Sequence, residues 1–218
     1  MATRAALICF DLDGTLLDVR VRHYSVYRDV LRRVGGEPID PEVYWQLKRA
    51  GETWDRLLTS SGLSPDRHPD FMCDFAEAIE APDYLRSDTL FPDVETALEE
   101  ARTISGCVIV SLRKRFDTLI EQVRSLGLSE RVDAILEVST SQPGALAKAR
   151  AVRLYSSKVP LAVVGDTELD IAAARELGCP AIAVSRGLRT SELLAAARPE
   201  SVVDSVNEAV ALIRSRRR

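Results

Sequence analysis

The sequence predicts an α/β protein: a parallel sheet with helices on both faces, and a small all-helical domain inserted after the first strand. Three observations carry that expectation. Short continuous apolar runs recur along the chain, the pattern of strands buried on both faces. Amphipathic stretches with Leu and Ala at helical spacing alternate with them, which argues for βαβ units. Residues 18–88 break this rhythm, keeping helical spacing and offering no strand run.

The first run, Ala5-Ala6-Leu7-Ile8-Cys9-Phe10, ends in an Asp-Leu-Asp-Gly turn. In the segment that follows, Pro38, Pro41, Pro65, Pro69 and Pro82 mark off about four helices, and both tryptophans, Trp45 and Trp54, fall inside it. The division is therefore a core of residues 1–17 and 89–218 and a helical domain of residues 18–88, with the tryptophans packing its interior. Later strands are expected at 107–110, 134–136, 161–164 and 181–184, with a weaker one at 202–203. Helices are expected at 93–102, 116–126, 144–154, 169–177 and 191–197.

The 218 residues suffice for one α/β domain with a modest insertion, or for two small domains. A hydrophobic fraction of 46% and a charged fraction of 28% allow an ordinary core. The net charge of −4 argues against nucleic acid held by bulk electrostatics. The basic ending Arg214-Ser215-Arg216-Arg217-Arg218 reads as a solvated tail. Cys9, Cys73, Cys107 and Cys179 show no C-x-x-C spacing and read as reduced core residues. No apolar stretch approaches the roughly 20 residues of a membrane span, and the first run lacks the flanks of a signal peptide. A cytoplasmic protein, monomer or homodimer, without nucleic-acid or membrane partners is expected.

Chemistry concentrates where strands end. Asp11-Leu12-Asp13-Gly14-Thr15 follows the first strand, and the ligand crevice of an open α/β sheet lies beyond the carboxyl ends of its strands. Asp11 and Asp13, two apart, face one way if the stretch stays extended. Two such carboxylates repel unless a cation or a shared proton intervenes, and their hard oxygens suit Mg²⁺. Gly14 permits a tight turn and exposes N–H groups to an anion. Gly165-Asp166-Thr167-Glu168-Leu169-Asp170 ends the fourth strand in the same way, with Asp166 and Asp170 four apart. Ser111 ends the run Val108-Ile109-Val110 and offers a hydroxyl to a phosphate oxygen. Each feature alone also reads as a helix cap or turn.

Taken together, these residues resemble the haloacid dehalogenase-like hydrolase superfamily, in its phosphoglycolate phosphatase and β-phosphoglucomutase-like branch. The resemblance rests on Phe10-Asp11-Leu12-Asp13-Gly14-Thr15-Leu16, on Val108-Ile109-Val110-Ser111, and on residues 165–170 continued by Ala172-Ala173-Ala174-Arg175-Glu176-Leu177-Gly178. It implies a Rossmann-like core with a helical cap at residues 18–88, and a small phosphorylated metabolite as substrate. Asp11 would attack phosphorus and form an aspartyl-phosphate; Asp13 would be the general acid and base. Mg²⁺ would be held by the Asp11 carboxylate, the Asp13 backbone carbonyl and Asp166, with Asp170 a further ligand or acting through water. Ser111, the Leu112 backbone N–H and a lysine would hold the phosphate.

The chain departs from this pattern in two places. The branch's Lys-Pro pair is Gln142-Pro143 here, so Lys148 on the following helix is the candidate lysine, with Arg113 and Lys114 as fallback cations. Leu112 stands where an asparagine often follows the hydroxyl, and Arg113 is a substitute contact. In the cap, Lys48 is the candidate substrate contact. The rival functions are a phosphate mutase, a phosphonatase using Lys48, and a non-catalytic binding protein; a dehalogenase is disfavoured by the presence of Asp13.

Overall fold

The computed structural model describes residues 6–139 and 142–217. Ala5 of the first run, and Arg218 of the basic ending, lie outside the described residues. The chain forms two compact units, Met1–Asp18 with Thr89–Arg218, and Val19–Asp88.

The first unit opens with β1 (Leu7–Phe10) and β2 (Leu17–Asp18). The second unit holds α1 (Arg20–Arg33), α2 (Pro41–Arg49), α3 (Trp54–Ser60), α4 (His68–Ala78) and α5 (Pro82–Leu85). The chain returns through β3 (Thr89–Leu90), α6 (Val94–Ile104), β4 (Gly106–Val110), α7 (Phe116–Ser125) and β5 (Ala134–Leu136). It ends with α8 (Gly144–Tyr155), β6 (Ala162–Gly165), α9 (Glu168–Leu177), β7 (Ala181–Val184), α10 (Ser191–Ala196), β8 (Ser201–Val203) and α11 (Val206–Ser215).

Six strands make one parallel sheet in the order β5-β4-β1-β6-β7-β8. Leu7 and Cys9 of β1, Val108 and Val110 of β4 and Val163 of β6 pack with Ala147 and Val152 of α8 and with Ile171 and Ala174 of α9. The alternate residues Ile8, Phe10 and Ile109 are as deeply buried, on the face served by α6 and α11. This is the expected α/β class. The antiparallel pair β2–β3, two residues to a strand, was not anticipated; it draws Asp18 into the first unit, beside Thr89. The terminal helix α11 was not among the helices expected.

The helical unit has five α-helices rather than about four, because Pro82 starts a single-turn helix of its own. Prolines sit in the first turn of α2, α4 and α5, where the missing N–H costs no hydrogen bond. The Asp40 side chain caps α2, accepting from the Glu42 and Val43 N–H groups at 2.9 and 3.2 Å. The unit has its own core of Val26, Tyr27, Leu31, Tyr44, Leu58 and Phe71. Trp54 packs on Phe75, ring centroids 4.8 Å apart, and Trp45 is buried. The cysteines are free; Cys9 and Cys107 are core residues, whereas Cys73 is exposed on the polar face of α4. The basic ending is not simply solvated: Arg214 pairs with Glu100, and Arg216 with Glu200 at 3.1 Å. No helix among the described residues is long and apolar enough to cross a membrane.

Candidate active site

The register of the central strands brings the site together. Phe10 pairs with Ile109 on one side and with Val164 on the other. Asp11, Ser111 and Asp166 therefore leave the same end of three adjacent strands. Asp11 remains tied to the sheet, its N–H donating to the Val164 carbonyl at 2.8 Å, and its side chain shares a face with Leu7 and Cys9, the face of α8.

On α8, two turns of small residues let Lys148 run inward; the residue is 4% exposed. Its ammonium donates to Asp11 Oδ1 and, at 2.6 Å, to Asp170 Oδ1. Asp170 Oδ2 meanwhile accepts from the Thr167 N–H at 3.1 Å and the Thr167 hydroxyl at 2.7 Å, forming a capping box at the start of α9. One carboxylate thus ends a helix and anchors the lysine. Asp166, fully buried, accepts from the Thr15 hydroxyl at 3.2 Å and from the Leu188 N–H at 2.5 Å.

Asp11, Asp166 and Asp170 each place a carboxylate oxygen within 4.8 Å of the others. Burial pushes the Asp11 carboxyl upward, against the pull of Lys148 and with added repulsion from Asp170. Burial, then Asp11 and Asp170, lift Asp166 well above the usual carboxylate range. Burial disfavours the Lys148 ammonium, but Asp11 and Asp170 outweigh it and hold its pKa above the ordinary value. Three buried carboxylates and one ammonium leave the cluster short of positive charge.

The remaining expected residues fall into place differently. Ser111 is buried at the end of β4. Leu112 packs against the sheet core and flanks Gly144, where an added Cβ would lie 2.8 Å from Leu112 Cδ1. The Gly14 N–H does not face an anion; it donates to the Leu17 carbonyl at 2.9 Å and closes the turn. The Asp13 side chain pairs with Arg113, so of the two expected fallback cations Arg113 is given to Asp13. Lys48 lies in the helical unit with its ammonium over the Trp54 ring, 5.1 Å from the centroid.

Sequence reading missed the loop after β7. Gly187 and Gly14 enclose Asp166: a Cβ on either would lie 2.1 Å from Asp166 Oδ2. Only glycine lets both backbones approach so closely, and Gly14 also has φ +82°. A glycine just past an apolar strand was the available signal. The Leu188 N–H left none, since a backbone donor is independent of residue type.

Residues 5–178 match the sequence profile of the haloacid dehalogenase-like hydrolases. The chain belongs to that family. Among its relatives are a phosphoglycolate phosphatase of Rhodobacter capsulatus, 26% identical over 87% of this chain and 88% of that protein. Another, from Synechococcus elongatus, is 27% identical over 92% and 93%. In fold this hydrolase is similar to a haloacid dehalogenase-like family protein from Streptococcus pneumoniae, with a TM-score of 0.79 and 21% identity over 95% of this chain and 97% of that one.

The family implies Mg²⁺, and the residues present fit it. The donor set is all oxygen, as Mg²⁺ requires; it is buried and short of positive charge, and it sits in a cradle that a single Cβ on Gly14 or Gly187 would fill.

Proposed function

We propose that this enzyme is a Mg²⁺-dependent phosphatase that hydrolyses a phosphate monoester of a small metabolite through an aspartyl-phosphate on Asp11. The observation that carries the reading is the joining of Asp11, Asp166, Asp170 and Lys148 in one buried cluster at the carboxyl end of the sheet. Asp11, Asp166, the Asp13 carbonyl and, directly or through water, Asp170 would hold Mg²⁺. When bound, the cation offsets the repulsion between carboxylates and phosphate.

The chain's own groups then perform two displacements. An Asp11 carboxylate oxygen forms a bond to phosphorus as the ester P–O bond breaks, and Asp13 gives its proton to the departing oxygen. Water next attacks the same phosphorus, its proton passing to Asp13, and the Asp11–phosphorus bond breaks to release inorganic phosphate. Lys148, Ser111 and the Leu112 N–H hold the non-bridging oxygens. Selection among esters is assigned to residues 18–88 as a cap, in which Lys48 is the sole lysine. The relatives' names make phosphoglycolate the first ester to try.

The test is phosphate release from a panel of phosphometabolites and p-nitrophenyl phosphate, with Mg²⁺ or EDTA, by wild type and Asp11→Asn. Release that needs both Mg²⁺ and Asp11 is expected. No turnover by folded, Mg²⁺-loaded protein would move the reading to a mutase, a phosphonatase or a binding role.

A further inference from the structure

Asp13 stands three residues beyond β1, on a loop, whereas its partner in the proposed reaction, Asp11, is fixed by the sheet. A side chain on a loop needs its own tether if it is to meet a leaving group in a reactive geometry. Arg113, in the loop after β4, supplies one. Its Nε donates to Asp13 Oδ2 at 2.8 Å and its Nη2 to Asp13 Oδ1 at 2.5 Å, a two-pronged pairing. The third arm, Nη1, donates to Gln122 Oε1 of α7 at 2.5 Å. The Arg113 side chain is 3% exposed and the Asp13 side chain 20% exposed.

We propose that Arg113, backed by Gln122, is a positioning residue that fixes the rotamer of the Asp13 carboxyl for proton transfer to and from the reacting oxygen. This rests on Asp13 being the acid and base of the proposed phosphatase. The two parallel bonds hold both carboxylate oxygens in the plane of the guanidinium, and so fix the direction in which the carboxyl can exchange a proton. Lysine cannot substitute, because an ammonium offers a point charge where the guanidinium offers a rigid fork. Gln122 matters because it holds the far side of that fork, so the carboxyl is referred to α7 rather than to the loop alone.

The decisive measurement is kcat/KM for wild type, Arg113→Lys, Gln122→Met and Asp13→Asn on two esters. One is p-nitrophenyl phosphate, whose leaving group departs without a proton. The other is phosphoglycolate, or whichever alkyl phosphate the wild type turns over best, whose leaving oxygen needs one. Arg113→Lys is expected to lose about tenfold or more on the alkyl ester and less than about threefold on the aryl ester, with inhibition by inorganic phosphate unchanged. Gln122→Met should show the same pattern more weakly, and it supplies the measurement if Arg113→Lys does not fold. Equal losses on both esters with weaker phosphate inhibition would overturn the proposal and make Arg113 a phosphate ligand. Alkyl-ester turnover at or above the wild-type rate would also overturn it. If Asp13→Asn itself shows no dependence on the leaving group, the assignment of Asp13 fails, and the role of Arg113 fails with it.

Discussion

Lys148 Nζ lies 2.6 Å from Asp170 Oδ1 while the same ammonium donates to Asp11 Oδ1, so one lysine from α8 bridges the proposed nucleophile and the cap of α9. Replacing it by methionine keeps the stem and removes the ammonium that donates to Asp11 and Asp170. Lys148→Met should lower kcat/KM on the preferred ester by about 10²-fold or more, the usual loss when a donor to the transition-state oxygens is removed. Lys148→Arg should not restore it, because a planar guanidinium does not fit a site where the lysine is 4% exposed. Activity within about threefold of wild type in Lys148→Met would reduce the residue to a structural tether.

Asp166 makes the metal testable apart from turnover. A ligand that binds only the folded state stabilises it by about 2.7 kcal/mol at one hundred times its Kd. For a chain of this size that raises Tm by about 5–10 °C. Thermal melts in MgCl₂ and in EDTA should show this rise for wild type and little of it for Asp166→Asn. Gly187→Ala should also lose most of it, since the new Cβ would lie 2.1 Å from Asp166 Oδ2. An undiminished shift in Asp166→Asn would remove Asp166 from the ligand set.

Why some of this was legible beforehand follows from its physical scale. Strands buried on both faces write themselves as unbroken apolar runs, and the carboxylates at their ends stand out against that background, so Asp11, Asp166 and Asp170 could be found. Lys148 was singled out through the departure at Gln142, and it lies in the same cluster. The pair β2–β3 was too short to write a pattern, and α5 is a single turn. Arg113 and Asp13 are 100 residues apart and meet only because β1 and β4 are neighbours. The Leu188 N–H acts through the backbone, which the side-chain alphabet does not record.

Within the helical unit, Arg22 and Asp88 form an ion pair of 3.1 Å with side chains 2% and 0% exposed, and Arg22 also donates to the Ile79 carbonyl at 3.2 Å. The pair ties α1 to the last residue of the unit. Breaking a buried pair on one side typically costs about 3–5 kcal/mol. Asp88→Ala should therefore speed amide exchange across residues 19–88 while β1, β4 and β6 stay protected. The double change Arg22→Met with Asp88→Leu should recover most of the loss, because apolar replacement removes the stranded charge. Exchange unchanged in Asp88→Ala would show that the pair contributes nothing net.

Asp93 holds the loop that carries Gly187 and Leu188. Its Oδ1 accepts from Arg186 Nη1 and its Oδ2 from the Asn207 N–H at 3.0 Å. Arg186 in turn lies over the Phe91 ring at 4.0 Å and donates to the Thr15 carbonyl at 3.3 Å. Burial pushes the Asp93 carboxyl up, but the Arg186 and Asn207 bonds outweigh it and leave the pKa below the ordinary 3.8. A pKa lower in the folded state means that the unfolded chain binds more protons in the interval between the two values. The stabilisation is thus complete above about pH 4 and is lost as pH falls through the folded-state value. Asp93→Asn should be less stable than wild type at pH 7, by about 1.5–3 kcal/mol for charge-assisted bonds, and the gap should narrow in denaturant melts below pH 4. A gap that stays constant across that range would mean that the loop depends on shape at Asp93 and not on its charge.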